Sequence, residues 1–147
     1  MNTTKTISIL SIIGILISAY LTYLHYVPEK LSASFCNLSN YLSCATVNQS
    51  SYAVFLGIPV ALIGVAGFLL LLYLSFSSFR YANIILFYSS AIGTIFMLYL
   101  LIAELFIIKA LCIFCIAVLL IIGAIFLIAL KAYGKESLQF VKEVRFE

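Results

Sequence analysis

Between Ala82 and Leu130 the chain runs for 49 residues with only two charged side chains, Glu104 and Lys109. A single helix of that length would extend roughly 75 Å at 1.5 Å per residue, about twice what a bilayer core needs. The run must therefore fold back, and its two charges mark where. This predicts helices over 82–105 and 109–131 joined by a tight turn that contains neither Gly nor Pro. Two further apolar runs, 7–26 and 54–76, each supply the roughly 20 residues that a span requires. Charged residues make up only 9% of the chain, where a soluble domain carries about a quarter. So few charges cannot cover a water-facing surface.

The expected fold class is an all-α integral membrane protein. It is a four-transmembrane-helix bundle over 1–131 with an outer loop between helices 1 and 2, followed by a short cytoplasmic tail, 132–147. The first run is too long for a typical leader and has no small-x-small cleavage site before Pro28, so it reads as a retained helix. A net charge of +3, scattered along the chain, gives no nucleic-acid patch. With four spans, Lys5, Arg80, Lys131, Lys135, Lys142 and Arg145 share one side, and Lys30 and Lys109 face the other. Cytoplasmic segments carry the Lys/Arg excess, which puts both termini in the cytoplasm.

That topology gathers all four cysteines at the outer face, where disulfides persist. Cys36 and Cys44 lie in "FCNLSNYLSC", a C-x7-C stretch of a polar loop that includes Ser32, Ser34, Asn37, Ser39, Asn40 and Ser43. Cys112 and Cys115 form a C-x-x-C at the start of the fourth helix. Residues three apart on a helix share a face, and a helix N-terminus favours a thiolate. Lys109 adds positive charge nearby. The arrangement has the electrostatics of a redox pair. The plainer readings are packing cysteines in the helix and a structural staple in the loop.

Taken together, these features resemble the vitamin K epoxide reductase family. The resemblance rests on C-x7-C in the first outer loop and C-x-x-C opening the fourth helix. It is strengthened by Ser50, six residues after Cys44, and by "FLGIPVALIG" at 55–64. It implies a quinone-dependent thiol–disulfide oxidoreductase that supports disulfide formation. Cys36 would then be attacked by a separate thioredoxin-like (DsbA-like) partner, Cys44 would shuttle to Cys112, and Cys115 would face the quinone. Ser50 would stand near that site. The quinone would be of the menaquinone or ubiquinone class, with no metal. Vertebrate members carry a tyrosine where this chain has Leu119, which favours a plain quinone. Apolar walls are expected from Phe55, Ile58 and Phe114.

Three other readings compete. The bacterial disulfide-bond-forming protein B family has the two cysteine pairs in the opposite order. A zinc site would need turns around "LCIFCIAV" that are absent. A non-catalytic scaffold with structural disulfides predicts no redox change with quinone. His25, the only histidine, is expected at the outer end of the first helix as an interfacial residue, with help in proton transfer as the alternative. Glu104 and Lys109 flank the turn near Cys112 and are expected to be solvated there; the alternative is that they tune the Cys112 pKa or relay protons.

Overall fold

The computed structural model describes residues 2–27, 29–30, 36–79 and 81–145. Pro28, Ser32, Ser34 and Arg80, which entered the loop and charge arguments, lie outside the described residues. Helix α1, Thr3–Tyr26, is followed by the short helix α2, Cys44–Asn48, and a 3-10 turn, Ser51–Ala53. A hairpin of β1, Val54–Phe55, and β2, Ile58–Pro59, leads into helix α3, Val60–Phe76. Helix α4, Ala82–Ala103, runs on into a π-helical turn, Glu104–Ile108, and helix α5 spans Ile113–Arg145.

Among the described residues, α1, α4 with its π-turn, and α5 are long and apolar enough to cross a membrane. Helix α3, at 17 residues, is equally apolar and at the short end of the spanning range. It starts later than the 54 that hydropathy alone suggests. The cause is local: Leu56 and Gly57 both take positive φ, 53° and 83°, the geometry of a tight hairpin turn, and Pro59 caps the helix. Helix α5 includes 132–145, the segment read from the sequence as a tail, and Phe140 packs there on Tyr81 at the start of α4.

The helices form a ring in which α1 packs on α3, α3 on α4, α4 on α5, and α5 on α1. The buried stripe of α1 is built largely from small side chains, Ser8, Ser11, Gly14 and Ser18. Lipid gives helices no hydrophobic reason to associate, so close approach through small residues and interhelical hydrogen bonds take that role. Ser8 and Ser75 hydroxyls meet at 3.1 Å, and the Ser75 hydroxyl also donates to the Thr4 carbonyl at 3.1 Å. Phe68 lies over Gly14, and the core around it includes Leu71, Leu86, Ile122 and Ile125. The contacts Ser8–Ser75 and Tyr81–Phe140 collect the start of α1, the end of α3, the start of α4 and the end of α5 at one end of the bundle. The cysteine loop lies at the other end.

A Cβ on Gly14 would stand 2.6 Å from Phe68 ring carbons, whereas one on Gly67 meets nothing within 4 Å. Overpacking of this kind costs about 1–3 kcal/mol. Gly14→Val is therefore expected to lower the thermal unfolding midpoint in detergent, and Gly67→Ala to leave it at or slightly above the original value.

Candidate functional site

The loop that carries Cys36 and Cys44 is held by its own polar residues. The Asn37 carboxamide oxygen accepts from the Ser43 hydroxyl and from the Ala45 N–H, both at 3.1 Å. Ser43 caps α2, its hydroxyl oxygen accepting from the Thr46 N–H at 3.2 Å. At the far end of α2, the Asn48 carboxamide donates to the Leu21 carbonyl at 3.1 Å. His25 donates from Nδ1 to the Asn48 carbonyl at 2.9 Å. The histidine thus ties α2 to the end of α1.

The loop also docks onto the segment before α5. Leu111 N–H donates to the Tyr41 carbonyl at 2.6 Å, and Ser43 N–H donates to the Leu111 carbonyl at 3.1 Å. These two bonds form a parallel bridge between Leu42 and Leu111. The bridge brings the two segments together, and Cys44, two residues past it at the start of α2, meets Cys112, one residue past it at the start of α5. Cys36 and Cys44 form a disulfide, their Cα atoms 5.5 Å apart, while Cys112 and Cys115 are free thiols. Cys112 Sγ lies 3.2 Å from Cys44 Sγ, with both residues fully buried. The sulfurs of Cys36, Cys44 and Cys112 all fall within 4.8 Å of one another. Two of the three are joined to each other, which leaves Cys112 as the free thiol of the set.

Cys112 stands at the N-cap of α5. Its carbonyl accepts from Ile116 at 3.0 Å, and its sulfur accepts the Cys115 N–H at 3.3 Å, the bond that a serine oxygen makes in an ordinary cap. Its own N–H donates to Glu104 Oε2 at 3.1 Å. Glu104, expected at a solvated turn, is only 3% exposed, whereas Lys109 points outward. The π-turn explains the difference. It winds the chain inward at Glu104 and ends on Lys109 at φ 55°, a left-handed residue that reverses the chain in place of a glycine. The Lys109 and Ala110 N–H groups both donate back to the Glu104 carbonyl.

Beneath the cysteines an apolar cavity opens between α1, α3, α4 and α5, walled by Leu21, Val47, Ala61, Met97, Leu100 and Val118. Cys115, Glu104 and Ser50 reach its lining. The Ser50 hydroxyl donates to the Val47 carbonyl at 2.7 Å. Phe55 and Ile58, expected as walls, are absent from the lining. They sit on the hairpin, 53% and 46% exposed, with Phe55 against the Phe96 ring. Phe114 also lies outside it, turned one residue away from Cys115 and edge-on to Tyr20 at 5.4 Å. Met97, Leu100 and Tyr52 line the cavity without having been singled out in the sequence. No local motif marks them, because α4 supplies two of them from far along the chain.

The family model described as the vitamin K epoxide reductase family matches residues 5–130. The chain belongs to that family. A comparison with curated proteins finds no match. Membership makes this an integral membrane protein of a thiol-oxidoreductase family, and the family uses quinones as electron acceptors. The buried sulfur cluster above an apolar cavity fits that chemistry, since a quinone is itself apolar.

The 3.2 Å contact predicts a pairing preference. A variant carrying Cys36→Ala and Cys115→Ala is expected to form a Cys44–Cys112 disulfide under mild oxidant. One carrying Cys44→Ala and Cys112→Ala is expected not to pair Cys36 with Cys115. Peptide mapping under non-reducing conditions distinguishes the two, and the reverse pattern would overturn the order of contact.

Proposed function

We propose that the protein carries electrons from a thioredoxin-like partner, through the loop cysteines and then the C-x-x-C pair, to a quinone in the apolar cavity. The observation that carries this reading is the contact between Cys44 and Cys112, which joins the loop disulfide to the thiol pair at 3.2 Å.

Once the loop opens to uncover Cys36, which is 2% exposed, one thiolate of a partner dithiol attacks it and releases Cys44; the partner's second thiolate then displaces Cys36, so the partner leaves oxidised and both loop cysteines are reduced. Cys44 attacks Cys112 of an oxidised C-x-x-C pair, and the bond to Cys115 breaks. Cys36 then attacks Cys44, restoring the loop disulfide and leaving Cys112 and Cys115 reduced. This last state is the one with a Cys36–Cys44 disulfide and two free thiols. Closing the Cys112–Cys115 disulfide delivers two electrons to the quinone, which takes up two protons. Each cycle oxidises one partner dithiol and reduces one quinone. Cys115 is the member of its pair that lines the cavity, so it faces the acceptor. Ser50 lines the same cavity, and its hydroxyl, which donates to the Val47 carbonyl, would turn from it to meet a quinone oxygen. The class is menaquinone or ubiquinone.

Four spans support the same reading. Helix α3 joins α1, α4 and α5 as the fourth, so the ring alternates up and down, and the Lys-rich end holds both termini. Placing that end in the cytoplasm puts the cysteines on the oxidising side.

Quinone reduction by the purified protein tests the relay. Cys112→Ala and Cys115→Ala are each expected to abolish it. Cys36→Ala is expected to block only the protein donor, while a small penetrating dithiol still drives turnover. Full turnover with the protein donor in Cys36→Ala would sink the relay. For topology, exposed Leu38 and Ser78 serve as markers in a cysteine-free background. An impermeant thiol reagent on intact cells is expected to label Leu38→Cys, and to reach Ser78→Cys only after lysis.

A further inference from the structure

One buried ionisable group has no part in the electron relay. Glu104 is 3% exposed beside the sulfur cluster, and its carboxyl group meets both members of the C-x-x-C pair. Oε2 accepts the Cys112 N–H at 3.1 Å. The carboxyl lies against the Cys115 thiol. It also lines the apolar cavity beside Cys115. Among the described residues no salt-bridge partner neutralises it, and Lys109, five residues on, points outward. A buried carboxyl without a cation is expensive to keep, and pairing with one N–H could be done by a glutamine. A group able to carry a proton is the distinction that glutamate offers here.

We infer that Glu104 is the catalytic proton carrier of the quinone step, taking the thiol protons of the C-x-x-C pair and handing them to the quinone oxygens. This rests on the quinone reading given above. As the Cys112–Cys115 bond forms, two S–H bonds break and an electron pair passes to the quinone. The Glu104 carboxylate accepts the proton of Cys115 and delivers it to one quinone oxygen. Returned to the carboxylate, it accepts the proton of Cys112, whose backbone it already holds, and delivers that to the second oxygen. The products are one disulfide and one hydroquinone, and Glu104 ends as it began. No water needs to enter an apolar chamber, which is the physical advantage of an internal carrier.

The experiment compares Glu104→Gln with Glu104→Ala in the full chain. Glutamine keeps an oxygen to accept the Cys112 N–H and cannot carry the proton. Two single-turnover reactions are read on dithiol-reduced protein: oxidation by a short-chain ubiquinone analogue, and oxidation by diamide, which is independent of the cavity's proton delivery. Thermal midpoints are measured alongside. Glu104→Gln is expected to keep its midpoint and its diamide rate and to lose about 100-fold or more in quinone reduction, the usual contribution of a positioned acid–base group. A Glu104→Gln protein that reduces quinone normally, with only Glu104→Ala impaired, would overturn the proposal and leave Glu104 as a hydrogen-bond acceptor. Equal losses with quinone and diamide would also overturn it, assigning the side chain to placing Cys112. If the unsubstituted protein itself fails to reduce quinone, the fault lies in the quinone reading and this inference falls with it.

Discussion

Two backbone hydrogen bonds hold the site together: those that Leu111 exchanges with Tyr41 and Ser43. They are what converts two separate cysteine pairs, 68 residues apart at their closest members, into one cluster. Everything else near the loop serves this bridge. Asn37 and Ser43 fold the loop back on itself so that Tyr41 and Ser43 present their backbone groups. Asn48 and His25 anchor the far end of α2 to α1, so the loop has a fixed origin. The bridge is a single parallel pair, Leu42 with Leu111, so the placing of Cys44 beside Cys112 rests on these two bonds.

The cysteine pattern was legible in the sequence because spacing and order are local properties. C-x7-C closes a small loop and C-x-x-C opens a helix wherever the chain puts them. The fold-back at 104–109 was legible for a similar reason, since no bilayer accommodates a 49-residue span. The details between these points were not. Burial of Glu104 depends on a π-turn that ends on a left-handed lysine, and no propensity rule asks for that conformation at lysine. The hairpin at 54–59 hides inside an apolar run that hydropathy reads as helix. Its only local signs are Gly57 and Pro59, and it carries Phe55 and Ile58 out of the cavity they were expected to wall. Phe114 missed for a geometric reason. Adjacent helix positions point about 100° apart, so a neighbour of Cys115 does not share its face.

The α1 stripe shows the same limit from another direction. Ser8, Ser11, Gly14 and Ser18 look like weak points in an apolar span when counted by hydropathy. In the bundle they are the contact surface, because Phe68 can lie flat only over a glycine and Ser75 needs a hydroxyl to meet. In a membrane the informative helix face is the small and slightly polar one, since apolar residues gain nothing by leaving lipid for protein.

The two halves of the proposed reaction place opposite demands on their surroundings. Thiol exchange with a soluble protein needs water-side access and a loop that can open. Quinone chemistry needs a dry apolar chamber. A single cysteine pair would have to satisfy both. Two cysteine pairs in contact divide the work. Cys36 and Cys44 belong to the loop, Cys112 caps the helix against the bridge, and Cys115 lies about 4.5 Å further along the helix axis, where the cavity begins. Each exchange then moves electrons across one sulfur contact without moving the chamber. Electrons alone can be relayed this way; protons cannot follow along disulfide bonds. A chain that divides its wet and dry chemistry between two pairs therefore needs a second carrier at the dry end, and the buried Glu104 carboxyl, which meets both Cys112 and Cys115, is the carrier proposed for that end.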